Sequence, residues 1–347
     1  MRYLRTSLKK ASPQVTVERQ NVFLAERSEP CKLAAVQDTL TFLIGCTGCG
    51  KGALGRELAR RTGGEIVSID SMKVYRRMDI GTAKPGPDVR AEIPHHLIDV
   101  VEPSEEFSVA QYVKHAEAAI ADIHSRGRRA FVVGGTPLYI KALSEGLFEG
   151  PGANEEVRGR LTQRAEREGL HALHGELRRI DYTAALRIHP HDLRRIVRAL
   201  EVFELTGKPI SALQEQWDRD RTRHACRFVG LRRDREDLNH RINERVKGMI
   251  AVGLVDEVRS LLAEPKPLGT AARQALGYAE IIEHLAGRLT LDEAVELIKI
   301  HTRRFAKSQR TWFKRFLATE WIDLSPSVDP VELADRLMSE KGVDWSP

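Results

Sequence analysis

Leu40-Thr-Phe-Leu-Ile44 runs straight into Gly45-Cys46-Thr47-Gly48-Cys49-Gly50-Lys51-Gly52. An apolar strand feeding a glycine-rich turn that ends in Gly-Lys reads as a P-loop. Its backbone N–H groups form an anion nest, the next helix aims its positive end at the nest, and the lysine adds a full charge. The full pattern wants Ser or Thr after the lysine, to place a hydroxyl on magnesium, and Gly52 stands there instead. Helical spacing follows at Ala53, Leu54, Leu58 and Ala59, and a second buried-type strand, Glu65-Ile-Val-Ser-Ile69, ends at Asp70. Strand, loop, helix, strand opens a parallel α/β sheet, and ligands of such sheets sit at the carboxyl ends of the strands. Both Gly45–Lys51 and Asp70 fall there.

The 347 residues suffice for a full core and more than one subdomain. With 41% hydrophobic and 30% charged residues the composition is that of an ordinary soluble enzyme. No apolar stretch approaches the roughly 20 residues of a membrane span, and the basic N-terminus lacks the apolar core of a secretory signal. Four cysteines argue against a disulfide framework and for a reducing cytoplasm. Cys46-Thr-Gly-Cys49 has C-x-x-C spacing, but no second pair completes a zinc site. A formal charge of +6 is compatible with a polyanionic partner.

Residues 1–38 show no period and read as a flexible basic extension. Residues 39–150 form the first part of the P-loop core, with further strands expected at Leu97-Ile-Asp-Val-Val101 and Ala130-Phe-Val-Val133 and a helix over Ser108–Arg126. Residues 151–223 are helical and charged, an inserted all-helical subdomain whose first inner faces are marked by Val157, Leu161, Leu170, Leu173, Leu177 and Ile180. Residues 224–325 complete the core with a strand at Arg227-Phe-Val-Gly-Leu231, followed by helices out to Trp312-Phe313. Residues 326–347 are left as a tail.

Several constellations carry chemistry. Asp70 at a strand end beside an anion nest suits a general base, and equally suits a helix cap. Val133-Gly-Gly-Thr136 lets backbone approach a ligand and offers a hydroxyl, or is a tight turn with Thr136 as cap. Basic residues gather at Arg194, Arg195 and Arg198, at Arg241 and Arg245, and at Arg303, Lys307, Arg310 and Lys314. Each cluster alone reads as a solvated face. Jointly, with Phe305, Trp312, Phe313 and Phe316 interleaved, they favour a nucleic-acid surface.

In sequence order, Gly45…Gly50-Lys51, Asp70-Ser-x-x-Val-Tyr75, Met78-Asp-Ile-Gly-Thr-Ala-Lys-Pro85 and Val133-Gly-Gly-Thr136 resemble the tRNA dimethylallyltransferases, also called tRNA isopentenyltransferases. Arg187-Ile-His-Pro190, Arg195-x-x-Arg-Ala-Leu-Glu-Val-Phe203, Gly277-Tyr278 and Thr302-Arg-Arg-Phe-Ala-Lys307 with Gln309 and Thr311-Trp312 extend the resemblance from about Leu40 to about Asp323. It implies transfer of a dimethylallyl group from dimethylallyl diphosphate to the exocyclic amine of the adenine 3′ of the anticodon. It also implies magnesium (Mg2+) as cofactor and the tRNA anticodon stem-loop as partner, for a cytoplasmic monomer with no membrane association.

By the same resemblance Asp70, Thr136 and Arg245 are catalytic. Gly45, Thr47, Gly48, Cys49, Gly50, Lys51 and Gly52 hold the diphosphate. Ser71, Lys73, Arg158, Arg194, Arg195, Arg198, Arg273, Tyr278, Arg303, Arg304 and Lys307 meet tRNA. The chain departs from the family pattern at Gly52, at Lys73 and Arg194 (each in place of a glutamine), and at Cys46 and Cys49 within the loop. A small-molecule P-loop kinase, a free-adenylate prenyltransferase and a silent tRNA-binding paralogue are the alternatives.

Overall fold

The computed structural model describes residues 39–146, 150–214, 224–316 and 318–339. The expected extension at 1–38 lies outside them. Among the described residues six strands form one sheet: β1 (Leu40–Gly45), β2 (Glu65–Ile69), β3 (His95–His96), β4 (Ala130–Gly134), β5 (Cys226–Arg233) and β6 (Thr319–Leu324). Their order is β3-β2-β4-β1-β5-β6, and every pair is parallel.

Every residue of β1 is buried, as a central parallel strand requires. Alternation along the strand sends Leu40, Phe42 and Ile44 to one face, with Val67, Ile69 and Val132, under helices Val109–Ser125 and Pro137–Glu145. Leu43 goes to the other face with Ile66, Phe131 and Val133, under helix Lys51–Thr62. Helix Val109–Ser125 starts on a capping box: the Ser108 hydroxyl accepts from the Gln111 amide, and the Gln111 side chain accepts from the Ser108 N–H.

Three expectations change. Leu97–Val101 is not a sheet strand, because Leu97 and Asp99 have φ of 62° and 57°, a left-handed backbone no strand can hold. That run instead pairs with Lys73–Tyr75, Asp99 N–H donating to Lys73 O at 3.1 Å and Val100 N–H to Val74 O at 2.7 Å. The sheet strand on that edge is the two-residue β3. Second, the region after Leu231 is not helical throughout, since Thr319–Leu324 adds an edge strand. Third, the stretch read as a tail from 326 carries helix Pro330–Met338, which buries Leu333, Ala334 and Leu337 against the core and pairs Asp335 with Arg61 at 2.5 Å.

The insertion holds helices Glu155–Glu168, Leu170–Ile180, Tyr182–Arg187, Leu193–Thr206 and Ile210–Leu213 around a core of its own. Val157, Leu161, Leu173 and Leu177 are buried in it, with Leu170 and Ile180 packed at its margin.

Candidate active site

The carboxyl ends of β2, β4, β1 and β5 lie side by side, and the chemistry collects there. Gly50, with φ 106°, caps helix Lys51–Thr62 without any side-chain bond. The first amides of that helix have no intrahelical acceptor and its dipole points the same way, so they offer a seat for an anion. The loop's carbonyls are held from behind. Lys51 Nζ donates to Cys46 O at 2.7 Å, Arg241 Nε to Gly48 O at 3.1 Å and Arg233 Nε to Cys49 O at 3.1 Å. In a planar trans peptide the carbonyl and the next N–H point oppositely. Arg233 therefore turns the Gly50 amide away from itself.

A further support comes from helix Leu291–Phe313. Buried Gln309 accepts from the Thr47 N–H at 2.9 Å and donates to Gly135 O at 2.7 Å, clipping the P-loop to the turn after β4. One turn earlier, Ala306 O accepts from Cys46 Sγ at 3.3 Å, and Arg303 donates to Asn243 at 2.6 Å. Burial, with Cys49 nearby, pushes the Cys46 thiol above its ordinary pKa. Cys46 and Cys49 are both free.

Asp70 follows β2. Its Oδ1 accepts from the Met72 N–H at 2.9 Å and the Lys73 N–H at 3.4 Å, so the carboxylate shapes its own turn and is fixed by it. Thr136 Oγ1 accepts from the Ser71 N–H at 3.1 Å, and no side-chain bond from Thr136 caps the helix it precedes. The hydroxyl thus ties the Gly134-Gly135 turn to the Asp70 turn. Arg245 Nη1 donates to Thr47 Oγ1 at 3.3 Å. Burial lowers the pKa of Arg245, and Asp70 pulls it back up. Burial likewise lowers that of Lys73; Asp70 opposes this, while Arg245, Lys51 and Arg56 add to it. Lys73, expected on tRNA, thus shares its charged surroundings with Asp70, Arg245 and Lys51.

The segment Met78–Pro85 is a turn locked from two sides. Glu257 accepts from the N–H groups of Asp79, Ile80 and Gly81 and from the Tyr278 hydroxyl, at 2.6 to 3.3 Å. Buried Lys84 donates to Tyr75 O, Asp79 and Asp99. Tyr278, expected to meet tRNA, is fully buried, and its hydroxyl donates to Glu257.

Arg158 and Arg198 converge on Glu201, which has no exposed surface and also accepts from the Asn154 N–H. Both brace the insertion. Arg194, Arg195, Arg273, Arg304 and Lys307 are exposed. Of the aromatics on the last helix, Phe313 and Phe316 are core and Trp312 packs beside Phe316, leaving Phe305 exposed. Arg241, exposed, and half-buried Arg245 both reach the P-loop, at Gly48 O and Thr47 Oγ1.

A family model described as IPP transferase matches residues 73–316. The chain belongs to the IPP transferase family. The tRNA dimethylallyltransferase of Geobacter metallireducens is 49% identical over 84% of this chain and 94% of its own length. That of Symbiobacterium thermophilum is 50% identical over 82% and 89%. Among solved structures, the tRNA isopentenylpyrophosphate transferase of Bacillus halodurans superposes with a TM-score of 0.63 at 39% identity, covering 86% of this chain and 95% of its own. A eukaryotic dimethylallyltransferase acting on tRNA gives 0.68 at 28% identity, covering 82% and 74%. The span matched by the IPP transferase model contains Lys73, Thr136 and Arg245, and the P-loop and Asp70 precede it. Arg56, Arg233, Asn243 and Glu257 had no sequence signal of their own, because each acts through a partner that periodicity cannot reveal. Gln309 was visible within a motif but without a role.

Proposed function

We propose that this site transfers a dimethylallyl group from dimethylallyl diphosphate to the exocyclic amine of the adenine 3′ of the tRNA anticodon, releasing pyrophosphate. The observation that carries the reading is one fixed carboxylate, Asp70, set among Lys51, Lys73 and Arg245 at the mouth of a phosphate-binding loop. The amine nitrogen attacks the allylic carbon, the carbon–oxygen bond to the diphosphate breaks, and the amine proton passes to Asp70. With Oδ1 engaged by two amides, the other carboxylate oxygen is the one free to take it. Lys51, Arg245 and the helix amides receive the charge that develops on the leaving group, the effect expected to supply most of the rate. The Thr136 hydroxyl positions the Asp70 turn.

Family resemblance brings magnesium with it, but the donors at hand do not fit a hydroxyl-anchored ion. Gly52 has no side chain, and the Thr47 hydroxyl accepts from Arg245. Among the described residues no group of three or more His, Cys, Asp or Glu is placed to hold a metal. In this reading the chain's own cations, Lys51 and Arg245, meet the leaving-group charge at the loop.

Exposed Arg194, Arg195, Arg273, Arg304 and Lys307 are proposed to meet the phosphates of the anticodon stem-loop, with the helical insertion as one wall. The target base must leave its stack at a cost of about a few kcal/mol. Incubation with dimethylallyl diphosphate and unmodified tRNA, followed by nucleoside analysis, tests the reading. Prenylated adenosine in tRNA supports it. Transfer to free AMP alone, or phosphorylation of a small alcohol from ATP, overturns it.

A further inference from the structure

Helix Lys51–Thr62 places residues 52 and 56 one turn apart on one face, and helical side chains lean back toward the N-terminus. Arg56 accordingly reaches over Gly52. A Cβ added at position 52 would lie 3.3 Å from Arg56 Nη1, closer than all but a tenth of real Cβ contacts. The guanidinium thus flanks the place from which a P-loop serine or threonine would extend its hydroxyl.

The neighbouring arginines are spoken for. Arg60 bonds Glu57 and Glu92, and Arg61 bonds Glu57 and Asp335. Arg56 feels Glu92 only at electrostatic range, and burial is the main influence lowering its pKa. Lys73, across the loop, feels Arg56, Lys51 and Arg245 together, with Asp70 as the opposing charge.

Lys51, Lys73, Arg245 and Arg56 by the loop, with Asp70 opposing the charge of Lys73 and Arg245, suit a diphosphate monoester, whose charge is about −3 by analogy with the second ionisation of a phosphate monoester. They do not suit a magnesium ion. That ion demands hard oxygens in near-octahedral array, and here the loop thiols are soft and buried. The carboxylate on hand, Asp70, spends Oδ1 on two amides and leaves one oxygen, far short of an octahedral set.

We propose that Arg56, lying over Gly52, and Lys73 together take the place of the hydroxyl-anchored divalent ion, so that this P-loop holds its diphosphate without a protein-bound metal. The inference rests on the reading of the loop as a diphosphate site. In this arrangement the guanidinium fork bonds terminal phosphate oxygens in two-point geometry, and Lys73 adds a point charge. Gly52 is then the condition for Arg56 to reach the site. Restoring a side chain there adds an oxygen ligand and displaces the guanidinium in one step.

Calorimetric titration of the full chain with inorganic pyrophosphate tests this, in EDTA and in millimolar magnesium. Wild-type affinity in EDTA is expected within about threefold of that in magnesium, under 1 kcal/mol. Arg56→Met should lose about tenfold or more of the EDTA affinity, the scale of a charge-assisted contact, and Lys73→Gln should lose a comparable part. Gly52→Thr should weaken binding in EDTA and recover it when magnesium is added. If the wild type binds pyrophosphate only with magnesium, or if Arg56→Met and Lys73→Gln both bind as wild type does in EDTA, the inference fails while the diphosphate reading stands. If pyrophosphate does not bind in either condition, both fail. The wild-type comparison decides the matter even if a variant does not fold.

Discussion

Replacing Gln309 by Met keeps the side chain's length and apolar bulk while deleting both hydrogen bonds of the clip. The structure sets the scale. Gln309 is 4% exposed, so water cannot readily replace it, and the change leaves the Thr47 N–H and the Gly135 carbonyl without partners. An orphaned buried polar group costs about 1–3 kcal/mol, which puts the pair at about 2–4 kcal/mol once partial relaxation is allowed. The packing contribution should be nearly unchanged, because the two side chains have similar volume. The loss should fall unevenly. The Thr47 amide belongs to the P-loop, so freeing it loosens the loop whose amides and Lys51 are proposed to hold the diphosphate, and pyrophosphate affinity should fall together with stability. Urea unfolding measures the first effect and pyrophosphate titration the second. Gln309→Glu serves as control: it keeps an acceptor for Thr47 but sets a carboxylate against the Gly135 carbonyl, and should be worse than Met. If Gln309→Met unfolds at the wild-type midpoint and binds pyrophosphate with wild-type affinity, the clip carries no energy and the loop is held by its own geometry.

Asp70→Ala should lower prenyl transfer by about two to four orders of magnitude, the usual scale for a general base, with tRNA affinity little altered; near-native turnover would reduce Asp70 to a turn former. Arg195→Gln and Lys307→Gln should each reduce the salt dependence of tRNA binding by about one unit of slope for every phosphate left unneutralised, and unchanged slopes in both would remove them from the interface. Arg158→Gln should behave otherwise, lowering stability by about 1–3 kcal/mol because it takes a donor from buried Glu201; a change in salt slope with no change in stability would contradict that division. Buried Glu65 is held down to about 2, chiefly by the hydrogen bond from Arg126, with His96 and Arg128 adding. Since its folded value lies below its ordinary one, its stabilisation is full above about pH 4.5 and disappears as pH falls toward 2, amounting to about 2–3 kcal/mol; Glu65→Gln should flatten acid unfolding across that window, and an unaltered acid limb would show the pairing to be weak.

The opening βαβ unit was legible because its signals are local. A continuous apolar run, a glycine turn and a helical period lie within about thirty residues, and each sets its own geometry. The capping box at Ser108 is local in the same way. What escaped depends on distant partners. Glu257 locks a turn 178 residues before it, and Gln309 meets Thr47 across 262 residues. Charge is likewise blind to its partner. Arg158 and Arg195 look alike in sequence, but one points at a buried carboxylate and the other lies exposed beside Asp192. The false strand at Leu97–Val101 had the right residues and the wrong backbone, since the left-handed Leu97 and Asp99 serve to turn Asp99 onto Lys84 and Arg90. The edge strand Thr319–Leu324 reads Thr-Glu-Trp-Ile-Asp-Leu, without strict alternation of polar and apolar residues, a weak pattern beside the strong helical period before it.

Helix Leu291–Phe313 joins the two halves of the proposed function. At spacings of three residues, Arg303, Ala306 and Gln309 face inward and hold Asn243, Cys46, Thr47 and Gly135. Arg304 and Lys307 are exposed on the same rod. A helix is stiff over this length, so a load on its outer arginine and lysine is borne by the residues clipped to the P-loop. The proposed binding of an RNA phosphate at Arg304 or Lys307 and seating of a diphosphate at Gly50–Gly52 would therefore act on one rigid element. That gives a physical reason for a basic stripe and a buried glutamine to share one helix: grip on the long substrate and alignment of the small one are fixed relative to each other before any atom reacts.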